Sequence, residues 1–315
     1  MRGDVLGFVG CLCLGWCSAL TAAEILPPVN ERFTAANVAE TPDFQRHVVP
    51  LLGRLGCNGR ACHGSFQGQG GFRLSLFGYD FDSDHTALTQ GDVPRVNHEQ
   101  PAESLIIQKP TFAVDHEGGE RYPPGGWEAR LLTRWIDAGA KGRDKNAPEL
   151  SGLEIEPAEI VFNKPGETAA LRLVANWSDG TREDVTPLGR FRTNDESIAT
   201  VSEAGQVAAV GKGDTHVIAF YDNGIVAVPV ILPVSDRIGP PSPEVPAPTA
   251  IDRLVVAKLR KVGLVPSELC GDAEFLRRAS LDVTGTLPTP EEVQQFLANK
   301  SSDKRAKKIE ELLAR

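Results

Sequence analysis

Two cysteines and a histidine stand close together in the stretch Cys57-Asn-Gly-Arg-Ala-Cys62-His63. A cysteine pair followed directly by histidine is the arrangement through which c-type haem is attached to a protein. The two thiols would add to the haem vinyl groups, and His63 would supply the proximal imidazole to the iron. The usual motif has two residues between the cysteines, whereas this chain has four, and Gly59 gives the longer loop backbone freedom. The motif therefore predicts that this part of the chain folds around covalently bound haem c.

Two other interpretations of this motif stay open. In an exported chain, Cys57 and Cys62 could form a disulfide, and His63 would then be incidental. The three side chains could also be half of a zinc site. A zinc site needs further ligands, and beyond residue 23 the chain has only Cys270 besides the motif cysteines, so no second cysteine pair completes it.

Residues 1–23 have the pattern of a secretory signal sequence. Arg2 is followed by an apolar run and by the small residues Thr21-Ala-Ala23, which offer a cleavage site. We expect cleavage; the alternative is an uncleaved anchor, since the run is close to the shortest length that spans a membrane. Export would place the motif cysteines outside the reducing cytosol, in the periplasm or at the cell surface. The net charge of −9 argues against a nucleic acid partner.

Apolar spacing predicts helices on both sides of the motif. A stripe at helical spacing covers residues 44–55, and Gly56 ends it just before the first motif cysteine. A second stripe covers residues 127–136 and is ended by Gly139. Between the two helices, apolar residues alternate over 72–76, which predicts a short strand.

A haem iron held by His63 would need a sixth ligand or would keep an open site. The sole methionine of the chain is Met1, which leaves with the signal, so methionine ligation is excluded. The remaining histidines of the region are His47, His85, His98 and His116. His85 follows an acidic stretch that predicts a solvated turn. His116 is the predicted distal ligand, because it lies between the motif and the second helix in a loop whose glycines allow close backbone approach.

Residues 55–140 resemble the planctomycete-type cytochrome c domain of large exported multidomain proteins. The matching segments are GCNGRACHG, GGFRLSLFGYD, the run from His116 to Arg121, and Tyr122-Pro-Pro followed by TRWIDAGA. The resemblance implies an α-helical haem domain over residues 41–145. Common small cytochromes carry Met-Pro-Pro where this chain has Tyr122-Pro-Pro, which supports His116 and makes Tyr122 the alternative distal ligand.

Short alternating strands separated by turn residues fill residues 152–234, which predicts an antiparallel β-sandwich. The segments Trp177-Ser-Asp-Gly-Thr181, Gly205-Gln-Val207 and Gly211-Lys-Gly213 resemble the bacterial Ig-like group 2 domain. This region holds no cluster of titratable groups. We therefore expect a spacer or adhesive module, and a cell-surface polymer is the partner such a module would contact.

Prolines in residues 235–248 predict a stiff, extended linker. Apolar spacing over residues 249–315 predicts helices, one of which starts at the capping box Thr289-Pro-Glu-Glu292. Through Leu281-Asp-Val-Thr-Gly285 and neighbouring segments, this part resembles the start of a domain of unknown function that follows such modules in planctomycete proteins. Because that domain normally continues past the position of Arg315, we expect the chain to be truncated.

Together these patterns predict a multidomain α+β protein with an α-helical cytochrome c-like domain, a β-sandwich Ig-like domain and an α-helical C-terminal segment. The predicted function is electron transfer by an exported haem-c module to an unidentified redox partner protein. One alternative is a secreted adhesive or scaffold protein in which Cys57 and Cys62 form a disulfide. Another is a haem-linked extracellular oxidoreductase with its catalytic part beyond Arg315, since the sequence itself contains no catalytic constellation.

Overall fold

The computed structural model describes residues 24–35, 38–90, 93–236 and 245–315. The predicted signal sequence and residues 237–244 of the predicted linker lie outside the described residues. The chain divides into two compact units, the first ending at Val234 and the second starting at Ser235. Among the described residues, no helix is both long and apolar enough to cross a membrane.

The first unit begins with a helical region. Its α-helices are α1 (Val29–Arg32), α2 (Val49–Arg54), α3 (Phe81–Thr89), α4 (Leu105–Gln108) and α5 (Trp127–Asp137). A π-helical turn, Phe44–Val48, leads directly into α2, and the carboxylate of Asp43 caps it by accepting a hydrogen bond from the backbone N–H of Arg46. Gly56, with a φ of +77°, follows α2 and turns the chain into the cysteine motif. Helices are therefore present on both sides of the motif, as the apolar spacing predicts.

The strand predicted over residues 72–76 is wrong. Phe72 makes only an isolated bridge with Gln69, and the chain then enters the 3-10 turn Leu76–Gly78. Phe77 within that turn has a φ of +59°, which bends the backbone away from an extended path. Alternating apolar residues therefore line a turn that packs against the helices.

The solvated turn predicted before His85 is also wrong, because these residues form the start of α3. The side chain of Asp80 caps the helix by accepting a hydrogen bond from the backbone N–H of Ser83 at 3.0 Å. Asp84 is buried, and its carboxylate accepts a hydrogen bond from the hydroxyl of Ser75 at 2.7 Å. The acidic residues therefore start and anchor a helix.

The rest of the first unit consists of β-sheets. The strands are β1 (Ile25–Leu26), β2 (Leu150–Glu156), β3 (Ile160–Val161), β4 (Thr168–Ala170), β5 (Arg172–Trp177), β6 (Arg182–Asp184), β7 (Arg190–Thr193), β8 (Ala199–Val201), β9 (Gln206–Ala209), β10 (Gly213–Tyr221) and β11 (Gly224–Leu232). They form sheets in the orders β1-β6-β5-β2, β3-β11-β10-β7 and β4-β9-β8. Along β10 buried residues alternate with half-buried ones, the period expected of a strand with one face on the core.

The helical region and the sheets pack together within this unit. Glu183 on β6 is 1% exposed and pairs with Arg32 of α1 and with Nε2 of His47, the latter at 3.0 Å. The hydroxyl of Tyr221 donates a hydrogen bond to the backbone carbonyl of Arg46 at 2.6 Å. Strand β1 also pairs in parallel with β6. The region predicted as a separate spacer thus shares a buried polar interface with the helices that flank the cysteine motif.

The second unit is helical. Its helices are α6 (Ala250–Val262), α7 (Asp272–Thr284), α8 (Pro290–Ala298) and α9 (Lys304–Leu313). The predicted capping box at the start of α8 is formed, because Thr289 and Glu292 each bond the other's backbone N–H. The side chains of Leu276, Phe296 and Leu312 are buried at its centre. With helices and several sheets in one chain, the protein belongs to the mixed α+β class.

Helix α6 keeps much of its apolar stripe exposed. Ile251 is 73% exposed, Leu254 is 72% exposed, and Val255 is also exposed. Helical spacing alone identifies such a stripe but does not decide whether other residues cover it. Gly263, in the left-handed conformation, ends this helix.

Candidate functional site

A cleft of about 910 Å³ lies in the helical region of the first unit. Its lining includes both motif cysteines and His63, and on another segment His116. Apolar side chains form part of its wall, namely Leu52, Phe72, Leu74, Leu88 and Ile106. A concave site of this size with apolar walls and a few convergent polar groups is typical of sites for ligands and cofactors.

Backbone hydrogen bonds fix the motif loop at the end of α2. The N–H of Cys57 donates to the carbonyl of Leu52, and the N–H of His63 donates to the carbonyl of Cys57, each at 2.9 Å. Gly64 follows the motif at a point where an added Cβ would lie 2.0 Å from the backbone oxygen of Asn58. The loop is therefore closed on itself, and only glycine fits directly after His63.

Both motif thiols are free in the structure. Burial raises the pKa of the Cys57 thiol to about 11, although the charge of Arg121 opposes this rise, so Cys57 is protonated near neutral pH. Cys62 accepts a weak hydrogen bond from Nη2 of Arg121, with an N–S distance of 3.9 Å. Both cysteines thus line the same cleft without a disulfide between them.

The imidazole of His63 is oriented by its neighbour Phe72. Nδ1 of His63 lies 3.1 Å from the backbone carbonyl oxygen of Phe72 and therefore carries the proton that it donates there. The two rings also contact each other, with centroids 4.8 Å apart. Burial lowers the pKa of His63, which favours the neutral imidazole. Nε2 is then left as an unprotonated donor for a metal ion, the usual arrangement of a ligating histidine.

His116 is held in a similar way on the opposite segment. Its Nδ1 lies 3.0 Å from the backbone carbonyl oxygen of Gly119 and donates to it, which leaves Nε2 as the unprotonated nitrogen. Gly118 lies so close that an added Cβ would be 2.7 Å from Cε1 of His116. Burial and, to a smaller extent, the proximity of His116 lower the pKa of His63. The structure therefore brings the predicted proximal and distal histidines to one cleft.

The other residues considered as distal ligands have different surroundings. His47 is buried against Glu183, and Nε2 of His85 bonds the backbone carbonyl of Ala140 at 2.7 Å. His98 is exposed. Tyr122 is buried, and its hydroxyl donates to the carbonyl of Ile106 at 3.4 Å. In the described part of the chain, none of these four lines the cleft.

Several cleft residues have no signal in the sequence that marks them. The cations Arg95, Lys109 and Arg121 line the cleft together with Asp115 and Glu117. They come from loops and from the end of α4, and isolated charged residues in loops are ordinarily solvated. Only the fold brings them beside the motif.

The donor set fits haem better than a bare metal ion. Within the described residues, no group of three or more His, Cys, Asp or Glu side chains could hold a metal ion alone. Two imidazoles and two free cysteines in one cleft match haem c, whose porphyrin nitrogens would supply the remaining iron ligands. The residues present therefore fit the group that the motif predicts.

Residues 250–315 match the family PSCyt2, described as a protein of unknown function (DUF1549). This match confirms the resemblance of the C-terminal segment to a domain of unknown function. It covers a minority of the chain, and the cytochrome c and Ig-like resemblances of the preceding regions stay predictions. No curated protein matches the chain.

Among solved structures, parts of the chain are similar to the S-layer protein SbsC. Domains 5–6 of that protein are 19% identical with a TM-score of 0.25, over 30% of this chain and 48% of that chain. Domains 4 and 5 are 21% identical with a TM-score of 0.24, over 29% of this chain and 56% of that chain. The chain thus spans about half the length of these two structures. TM-scores this low carry no inference about fold or function.

Proposed function

We propose that the first unit is an exported haem-c module that transfers electrons to a redox partner protein. One observation carries the proposal: Cys57, Cys62, His63 and His116 line a single cleft, although His116 is distant from the motif in sequence. The tautomers inferred for both histidines support it, because each donates Nδ1–H to a backbone carbonyl and presents Nε2.

Each residue has a distinct task in this proposal. Cys57 and Cys62 hold the porphyrin covalently, so that the group stays in place through repeated redox cycles. His63 and His116 are the proximal and distal ligands, and the carbonyls of Phe72 and Gly119 fix the orientation of their rings. When bound, haem iron changes between the ferrous and ferric states and so carries one electron. The apolar part of the cleft wall would lower the polarity around the group, which is one of the ways in which a protein sets its potential.

The sheets of the first unit have a supporting part in this proposal. They pack against the helices next to the motif and include the buried carboxylate of Glu183. We propose that they hold the helical region in shape and, as an Ig-like spacer, present it at the cell surface, where contact with a polymer would occur. Export through residues 1–23 belongs to the same proposal, because haem c is assembled outside the cytosol.

The proposal is tested by producing the full chain together with the haem-attachment machinery of a bacterial periplasm. We expect a pyridine haemochrome spectrum of the c type, and mass spectrometry should find haem that survives acid-acetone extraction. A parallel culture without the attachment machinery is the control. Protein of unmodified mass with an intact Cys57–Cys62 disulfide would instead favour the scaffold alternative and would overturn the haem proposal.

A further inference from the structure

Arg95 has a fixed position at the cleft. Its backbone N–H donates to the carbonyl of Leu88 at 2.8 Å, and its own carbonyl accepts from the N–H of Ile106 at 3.0 Å. The residue is therefore tied to the last turn of α3 on one side and to α4 on the other. Its side chain lines the cleft.

The guanidinium of Arg95 lies beside the histidine motif. Its Cζ atom is 4.8 Å from the centroid of the Phe72 ring, the ring that also contacts His63. A cation is therefore held at the wall of the cleft, close to the predicted proximal ligand.

No anion balances this cation within the described residues. Nε of Arg95 is buried without a hydrogen-bond partner, and burial alone lowers the pKa of the guanidinium. Asp115 and Glu117 line the same cleft but do not pair with it. The residue as a whole is half-buried, so the cost falls on the buried Nε, whose lost hydration is not replaced by a hydrogen bond within the described residues. An acceptor group placed beside this guanidinium would remove that cost.

The other cations of the cleft already have partners. Nζ of Lys109 donates to the backbone carbonyl of Asp115 at 2.9 Å. Nη2 of Arg121 donates weakly to the sulfur of Cys62. Arg95 is therefore the cleft cation whose planar donors are left for an incoming group, and a guanidinium matches a carboxylate through parallel hydrogen bonds.

We infer that Arg95 binds a propionate carboxylate of the porphyrin in this cleft. The inference rests on the proposed function, since haem c is the occupant that carries this carboxylate. In this inference Arg95 is a positioning residue. Its ion pair with the propionate would fix the orientation of the porphyrin in the cleft, and the two opposite charges would lie beside His63. A free anion such as chloride or phosphate has similar chemistry and must be distinguished by experiment.

The test compares Arg95→Gln with Arg95→Lys in the haem-loaded full chain. Resonance Raman spectroscopy follows the propionate bending band, which responds to hydrogen bonding at the carboxylate. We expect a clear shift in Arg95→Gln and a smaller one in Arg95→Lys, which keeps the charge but loses the planar fork. In Arg95→Gln the equilibrium constant for reduction should also fall about tenfold, or about 59 mV for one electron, because a nearby positive charge is lost.

Arg73→Gln is the matched control, because Arg73 is exposed and contacts Phe66 outside the cleft. This variant should leave the Raman band unchanged.

If wild-type protein carries no covalent haem, the proposed function fails. If haem is attached and the band is unchanged in both Arg95 variants, only the Arg95 inference fails. A band or potential of the wild type that depends on added chloride or phosphate would assign Arg95 to a free anion and overturn it as well. If Arg95→Gln does not accumulate as folded protein, the Raman band of Arg95→Lys is compared with that of the wild type, and an unchanged band overturns the Arg95 inference.

Discussion

Two arginines in the first unit differ in whether a carboxylate balances their charge. Both terminal nitrogens of Arg32, at the interface between helices and sheets, bind carboxylates, one from Glu40 and one from Glu183. Arg95, in the cleft, has no such partner among the described residues. The charge of Arg32 is balanced within the fold, whereas the half-buried guanidinium of Arg95 has no carboxylate beside it in the described part of the chain and remains able to bind one. This is the difference that we expect between a structural interface and a binding site.

The same contrast holds for the histidines. At the interface, His47 accepts the backbone N–H of Asp43 at Nδ1 and bonds Glu183 at Nε2, so both ring nitrogens are used. In the cleft, Nδ1 of His63 and Nδ1 of His116 each bond a backbone carbonyl oxygen, and within the described residues neither ring bonds a carboxylate as His47 does. Histidines held in this way through Nδ1 are the kind that can bind iron through Nε2. The following predictions test whether the cleft binds haem and whether the interface between helices and sheets serves stability alone.

Removal of both motif thiols should have the largest effect. We expect the double variant Cys57→Ser and Cys62→Ser to lose covalent haem completely, because no thioether can form, while its far-ultraviolet circular dichroism stays that of the folded chain. Cys270→Ser, in the second unit, is the matched control and should keep full haem content. Haem staining of denaturing gels measures the outcome, and staining of the double variant would contradict the attachment role.

Removal of the distal imidazole should change the spin state of the iron while the haem stays attached. We expect His116→Ala to convert a low-spin absorbance spectrum into a high-spin one that responds to added imidazole. Gly118→Ala should cause a partial conversion, because its methyl group would press on the His116 ring.

Gly152→Ala is the control for this comparison, since an added Cβ there meets open space. If His116→Ala keeps the low-spin spectrum of the wild type, another residue is the distal ligand. His85, His98 and Tyr122 would then be substituted in turn.

At the interface, Glu183→Gln should lower stability without affecting haem content. Loss of the Glu183 charge removes one of the two carboxylates that pair with the buried Arg32, and Glu40 remains, so the cost should approach but not exceed the about 3–5 kcal/mol of a broken buried pair. Glu154→Gln removes the carboxylate of an exposed pair with Arg182 and should cost at most about 1 kcal/mol. Urea unfolding of the haem-loaded chain measures both. Equal effects of the two substitutions would show that the interface pair is no more important than a surface pair.

The pH dependence of stability should also report on Glu183. Burial would raise the pKa of this carboxyl, but the hydrogen bond from His47 and the charges of His47 and Arg32 outweigh burial and hold it below the usual 4.5. The unfolded chain then binds the proton more readily, so this contribution is present above pH 4.5 and is lost as the pH falls through the lower folded value. We expect the stability of Glu183→Gln to fall less steeply below pH 4.5 than that of the wild type; parallel curves would contradict this.

Much of the local structure could be predicted from the chain because it depends on neighbouring residues. Gly56 ends a helix where the sequence places it, and the capping box at Thr289 forms, since each involves only one helical turn. The prediction failed where a distant contact decides the conformation. Asp84 is part of a helix because Ser75 satisfies its carboxylate, and acidic spacing alone does not reveal that partner.

The candidate site likewise combines features that depend on neighbouring residues with features that depend on distant contacts. The order Cys57, Cys62, His63 was sufficient to predict haem chemistry, because thiols and imidazole act within one loop whatever surrounds it. The place of His116 in the cleft, the withdrawal of Tyr122 into the core and the unpaired guanidinium of Arg95 were decided by tertiary structure alone. Each depends on which segments meet in space and on how much water they exclude, and neither quantity is encoded in residue spacing.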